Sequence, residues 1–316
     1  MNGLQLTITL NNNPPCQAEL ASTVKHVTWQ LANTPAITVT GSGFADGPCE
    51  LAVIFKGEVI AQDAITVAQH RFKKRFPLAA PLAHPTALEV RVGTEFCRII
   101  PIRLNRLYGR VTDFAGQPIP HPIINAYEGL TAVGDAAGNY EIYLPGKTRQ
   151  IGVFAKDYSI ASLESWLYEL DLQEDTRLDI RLDKLEVYEI GGWQGQGGVY
   201  LRFIPMSLAR IAELMKQGLS EADMLAYPEA WPRLNKADVR ISIGSTEVPI
   251  ASFNGYDDIV GENAADKLTR PGYIIGIAHT DWRPGIVKIE LSHLVRFGAE
   301  EVLEYGEGYF GGLTDE

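Results

Sequence analysis

The run Ala278-His279-Thr280-Asp281-Trp282-Arg283-Pro284-Gly285 gathers a base, a carboxylate, an indole and a guanidinium in eight residues. His279 and Asp281 have the types and spacing of a general base and the group that orients it. Trp282 offers an aromatic face on which a sugar ring can stack, and Arg283 adds a charged donor. The plainer reading of the same residues is a strand connection: Asp281 bonds backbone amides, Trp282 packs over a sandwich end, and Pro284-Gly285 turns the chain. A second run, Phe253 through Asp266, places Asp257, Asp258, Glu262 and Asp266 within ten residues. Calcium takes about six to eight oxygen ligands, so Asp257, Asp258 and Glu262 are candidates to supply some of them. Their spacing is not that of an EF-hand loop, and an acidic, solvated loop is the plainer reading. No other cofactor is expected.

Trp193, Tyr256 and Trp282, with Tyr305 and Tyr309, could together make a carbohydrate platform, and Trp193, Tyr256, Trp282 and Arg283 are the ligand-binding candidates. Residues 185–316 hold 14 of the chain's 29 aromatics, near their proportional share, so core packing accounts for most of them. Catalytic fingerprints are missing. The serines lack the G-x-S-x-G elbow, and neither H-E-x-x-H nor the P-loop pattern occurs. Gly195-Gln196-Gly197-Gly198 lacks the dinucleotide-loop spacing and precedes a strand where a helix would have to start, so it reads as a hairpin loop.

The chain has 316 residues, 46% hydrophobic and 21% charged, with 30 glycines and 18 prolines. That is the profile of a folded, turn-rich protein of two or three domains. The net charge of −11 divides as +2 over 1–104, −4 over 105–184 and −9 over 185–316. Nucleic-acid affinity needs clustered Lys and Arg. The one dense basic run, Arg71-Phe72-Lys73-Lys74-Arg75-Phe76, alternates like a strand with one wet face, so no nucleic-acid partner is expected. Cys16, Cys49 and Cys97 form no C-x-x-C pair and read as buried free thiols. No stretch is long and apolar enough for a membrane-spanning helix, and the first residues lack a secretory pattern, so the expected setting is cytoplasmic.

Short alternating runs between turn residues predict a mainly β chain. Ala36–Thr40, Leu51–Phe55, Glu58–Ile60, Ala87–Val92 and Cys97–Leu104 suit an immunoglobulin-like sandwich over 1–104. In 105–184, strands are expected at Tyr108–Asp113, Ile123–Tyr127, Asn139–Leu144, Ile151–Ala155, Trp166–Leu172 and Arg177–Leu182, with Asp135–Gly138 as a hairpin turn. In 185–316, strands at Glu186–Ile190 and Val199–Phe203 flank the glycine-rich turn 191–198. A helix opens at Pro205–Leu208 and stops at Gly218, and Ser220 and Asp223 suit the cap of a second short helix before Pro228. Further strands are expected at Val239–Ile243, Val248–Ile250, Tyr273–Ile277 and Val287–Leu291, and the segment reads as a β-rich α+β domain.

Two resemblances accompany this reading. Gly109, Val111, Asp113, Gly116, Pro118 and Ile119, then Asp135, Gly138, Tyr140, Ile142, Leu144, Pro145 and Gly146, follow the two blocks of the carboxypeptidase regulatory-like domain. Tyr158 stands at its final aromatic, with Asp157 in place of the usual glycine. The resemblance covers about 105–184 and implies a transthyretin-like sandwich that is an accessory module without catalytic residues. ITVTGSGFADGPCELAVIF, at 37–55, resembles the opening of the IPT/TIG type of immunoglobulin-like module. The third segment resembles no such family. Together these point to a non-enzymatic binding or assembly protein with carbohydrate, or else another protein, as partner. The alternatives are a hydrolase with its site in 185–316 and a purely structural subunit. Oligomeric state stays open.

Overall fold

The computed structural model describes residues 4–22, 27–94, 96–126, 130–218, 231–262, 267–297 and 300–312. The chain is mainly β-structure, with one short α-helix among the described residues. The first strands are β1 (Gln5–Asn11), β2 (Cys16–Ser22), β3 (Val27–Asn33), β4 (Ala36–Ser42), β5 (Gly47–Phe55), β6 (Glu58–Val67), β7 (Arg71–Pro77), β8 (Ala87–Val92) and β9 (Phe96–Pro101). Sheets β1-β4-β7 and β6-β5-β8-β9 share a core that includes Ile37, Val39, Leu51, Val53, Leu88 and Val90. In β7, Phe72 and Phe76 enter that core while Arg71, Lys73 and Arg75 stay exposed, the alternation a half-wet strand requires.

The β2–β3 hairpin leaves this sandwich. Leu20, Trp29 and Leu31 pack instead against Ile123, Phe154, Tyr158 and Leu163 of the second segment. A buried asparagine cluster fixes the departure point. Asn11 Nδ2 donates to Asn33 Oδ1 (2.7 Å), and Asn33 Nδ2 donates to the carbonyls of Asn13 and Pro14. Asn13 completes a strand-like pair with the Tyr143 backbone, donating to its carbonyl at 2.9 Å and accepting from its amide at 2.7 Å. The expectation of buried thiols needs correction. Cys16 and Cys49 are half-buried, and burial raises both thiols, but Cys97 is exposed because β9 is an edge strand with one side in water.

The second segment adds β10 (Leu104–Thr112), β11 (Ile123–Ala126), β12 (Leu130–Val133), β13 (Asn139–Pro145), β14 (Lys147–Phe154), β15 (Ser165–Asp171), β16 (Thr176–Arg177) and β17 (Ile180–Arg181). β13-β10-β16, extended by β17, faces β12-β11-β14-β15 across Leu107, Val111, Ile124, Ile142, Ile151 and Leu167. The Asp135–Gly138 turn forms, with Asp135 Oδ1 accepting from the amides of Ala137 and Asn139. It is a corner rather than a hairpin, since β12 and β13 belong to opposite sheets.

The third segment comprises β18 (Leu185–Gly195), β19 (Gly198–Ser207), α1 (Leu208–Lys216), β20 (Val239–Ile243), β21 (Thr246–Val248), β22 (Ser252–Glu262), β23 (Lys267–Ile277), β24 (Val287–Phe297) and β25 (Glu300–Phe310). The second expected helix lies outside the described residues. Sheet β18-β19-β23-β22 packs on β25-β24-β20-β21 through Leu201, Phe203, Ile275, Ile241, Ile289 and Leu291. The latter strands continue the second segment's sheet, because β25 pairs in parallel with β15 at Leu167–Tyr309 and Tyr168–Phe310. One eight-stranded sheet therefore runs through both segments.

Helix α1 starts at a built anion site. Ser207 Oγ accepts from the Arg210 amide, and Glu304 of β25 accepts from Ser207 Oγ (2.5 Å) and from the Ala209 amide (2.9 Å). Glu304 is fully buried, and that burial pushes its carboxyl up; the nearby Asp183 is raised for the same reason. A carboxyl raised on folding binds its proton more tightly in the folded chain, so its contribution is most favourable below the ordinary carboxylate range. It is lost as pH rises through the folded value. Glu304→Gln, which keeps an acceptor for Ala209, is therefore expected to flatten the decline of stability as pH rises above the ordinary carboxylate range. Urea midpoints of wild type and variant check this, and parallel curves would contradict it.

Candidate functional site

β19 alternates Val199, Leu201 and Phe203, which are buried, with Tyr200 and Arg202, which are not. The register carries this alternation across the sheet. One row is Trp193, Tyr200, Gly276 and Ser252, and the next holds Gly191, Arg202, Ile274 and Asn254. Tyr256 follows opposite Gly272, two residues along β22 from Asn254. All of these stand on the sheet face turned away from the core. Trp193 and Tyr200 stack with centroids 5.7 Å apart and planes 19° apart, and Trp193 is 40% exposed.

Glycines make this face flat. The Tyr200 ring crosses Gly195 and Gly276, where an added Cβ would meet it at 2.9 and 3.3 Å, and Tyr256 lies over Gly272 with Cε1 at 2.7 Å. The stretch Gly191–Gly195 is accordingly strand, with only Gln196-Gly197 left to turn, where the sequence pattern predicts a glycine loop over 191–198. The glycines serve cross-strand rings rather than bends.

At the far end the face is covered. Ile204 packs with Ile211, Leu214 and Trp231 under α1. Arg270, 10% exposed, donates to Asp258 and to Glu189, both at 2.9 Å, and its guanidinium lies over Tyr188 (5.4 Å) and Trp231 (5.3 Å). Glu189 sits in a β-bulge between Tyr188 and Gly191 with φ +50°, which turns two consecutive side chains to this face. The ion pairs thus tie β18 to β23 and β22. Burial, and secondarily the Asp258 carboxylate, push the Tyr256 phenol up, leaving it a neutral hydrogen-bond donor.

Among the expected ligand residues, Trp193 and Tyr256 share this face. Three strand spacings and four residues separate them, roughly 20 Å in a flat sheet. Trp282 packs against the inner core at the sandwich end, its buried Nε1 without a hydrogen-bond partner among the described residues, and Arg283 is exposed in the adjoining loop. His279 gives Nε2–H to the Gly195 carbonyl at 2.9 Å, and no hydrogen bond joins it to Asp281. Asp257 and Asp258 project from opposite faces of β22: Asp258 binds Arg270, while Asp257 is exposed, 4.0 Å from Arg233. The Glu262 side chain and Asp266 lie outside the described residues. Among the described residues, no three His, Cys, Asp or Glu side chains are placed to hold one metal ion. Tyr200 and Arg202 went unnamed in the sequence reading, although their alternation with Leu201 and Phe203 carries the signal.

Fold and face define an all-β protein of packed sandwiches that presents an open aromatic and polar sheet surface. Among the described residues, no helix is long and apolar enough to cross a membrane. No family model matches this chain, and no curated protein matches it. Among solved structures it is similar to a candidate carbohydrate binding protein from Bacteroides uniformis, with 8% identity and a TM-score of 0.20, over 65% of this chain and 97% of that one. So distant a likeness decides nothing about ligand or mechanism.

Proposed function

We propose that the chain is a non-enzymatic carbohydrate-binding protein whose ligand lies on the outer face of β18-β19-β23-β22. The observation that supports this reading best is the stacked Trp193–Tyr200 pair set in one plane with Arg202, Asn254 and Tyr256. Rings offer stacking area to the apolar face of a sugar, and the flanking groups offer hydrogen bonds to its hydroxyls. The roughly 20 Å between Trp193 and Tyr256 suits an oligosaccharide rather than a single sugar. In this reading, 1–104 and 105–184 are accessory sandwiches, the second transthyretin-like, and 185–316 carries the site. A hydrolase is less well supported, because His279, Asp281, Asp257 and Asp258 do not converge on one cavity.

Calorimetric titration of the full chain with neutral hexasaccharides (gluco-, xylo- and manno-configured) tests the reading. One series is expected to bind. Trp193→Ala and Tyr256→Ala are each expected to weaken it by about 1–2 kcal/mol, roughly 5- to 30-fold. Absence of binding across the set, or unchanged affinity in both variants, overturns the proposal.

A further inference from the structure

A polar cleft of about 730 Å³ lies between the first and second segments, far in sequence from the aromatic face. One wall is the outer side of β1-β4-β7. There the register aligns Thr9 with Thr38 and Arg75, and Thr7 with Thr40 and Lys73. Two rows of hydroxyls thus end in two cations. The opposite wall brings Lys147 and Arg149 from β14. Lys73 and Arg75 make no ion pair among the described residues. Lys74 between them turns to the other face and is neutralised by Asp63. Lys147 and Arg149 lie 3.9 Å from Asp171 and Glu169 respectively, long contacts made by two largely exposed cations, which neutralise little.

Among the described residues, four cations and no carboxylate line the cleft, in a chain whose net charge is −11. The Asn13 side chain, hydrogen-bonded to the backbone carbonyl and amide of Tyr143, ties the first segment to the second beside the cleft. The site is therefore present before any ligand arrives. Among the described residues no aromatic side chain lines it, so these residues offer none of the stacking that single-stranded nucleic acid uses. Threonine hydroxyls beside guanidinium and ammonium groups match a ligand that carries anionic groups on a hydroxyl-rich frame.

We propose that this cleft binds an oligosaccharide bearing carboxylate or sulfate groups, at a site separate from the aromatic face. The test is calorimetric titration of the full chain with a galacturonate hexamer, a sulfated galactose hexamer without carboxylates, a neutral galactose hexamer, inorganic sulfate and a single-stranded dodecanucleotide. At least one acidic saccharide is expected to bind at least about tenfold more tightly than the neutral hexamer, and which of the two binds identifies the anionic group. That affinity is expected to fall as salt rises and to drop about tenfold or more in Lys73→Glu/Arg75→Glu, while Trp193→Ala leaves it unchanged. Both substituted side chains are exposed, so the melting transition should stay in place, and the milder Arg75→Gln gives an intermediate loss. Equal binding by the double variant, equal binding of the neutral hexamer or inorganic sulfate, or tighter binding of the oligonucleotide would each overturn the proposal.

Discussion

Replacing Arg181 by methionine is expected to cost the fold about 3–5 kcal/mol, far more than loss of a surface charge. Arg181 leaves β17 and donates to Glu307 of β25 through Nη2 (2.8 Å) and Nε (3.0 Å), and also to Glu290 of β24. Glu307 accepts a further bond from the Arg181 amide at 2.6 Å and one from the Tyr309 hydroxyl. Its side chain is 1% exposed, so removing the guanidinium leaves a carboxylate out of water without its counter-charge. The guanidinium also lies 4.2 Å from the Phe114 ring centroid, and that ring stacks on Tyr305 at 5.0 Å. Methionine restores some of this packing but none of the charge. Glu290 is held below the ordinary carboxylate range by Arg181 against its own burial, and in the variant it should titrate higher. Urea denaturation checks the stability loss, and Arg181→Met/Glu307→Gln is expected to recover part of it because no charge is then stranded. A loss under about 1 kcal/mol in the single variant would show the cluster to be solvated and weak.

Arg181 also shows where a linear sequence stops being legible. The stretch from Glu300 carries six acidic residues and no Lys or Arg, yet it forms β25, whose buried Glu304 and Glu307 each answer a partner more than ninety positions away. The acidic run at 253–266 is misread in the same way. Asp257 and Asp258 belong to a strand, and the arginine that takes up Asp258 is on the next strand of the sheet. Carboxylates look solvated until their cations are placed, and only the fold places them. By contrast, the second segment was readable because its cues are local. Leu107, Val111, Ile142 and Leu144 alternate within their own strands, and Asp135 bonds amides two and four residues on. The β2–β3 hairpin escaped notice because its apolar residues serve a core supplied by another segment. Half of the candidate face was visible in Trp193 and Tyr256. What brings them into one plane is register and a floor of glycines, and neither follows from the spacing of aromatic residues.

Gly306→Val should part the two sheets of the third segment, at a cost of about 3 kcal/mol or more. Sheets normally pack about 10 Å apart, with side chains filling the gap. At Gly306 the gap is closed. A Cβ there would touch the Leu185 carbonyl oxygen and lie 2.6 Å from its carbon and 2.8 Å from Leu185 Cβ. Two residues on, a Cβ at Gly308 would meet Val187 Cβ at 2.8 Å and Ile190 Cδ1 at 2.7 Å. β18 therefore crosses directly over β25 at these two glycines, and backbone cannot swing aside as a flexible side chain can. Overpacking commonly costs about 1–3 kcal/mol, and a clash against main chain belongs at the top of that range or beyond it. Gly57→Ala is the control. Gly57 has φ +85° and nothing within 4 Å of the added Cβ, so the change meets only backbone strain of about 1 kcal/mol. The crossing also bears on the aromatic face, since β18 carries Leu185 at one end and Trp193 at the other. Displacing its base should disturb the strand that holds Trp193 against Tyr200. Gly306→Val is thus expected to lower the urea midpoint and to increase the mobility of Trp193, read as a fall in its fluorescence anisotropy in a Trp29→Phe, Trp166→Phe, Trp231→Phe, Trp282→Phe background. A lower midpoint with unchanged anisotropy would show that the face is anchored from β19 and β23 alone.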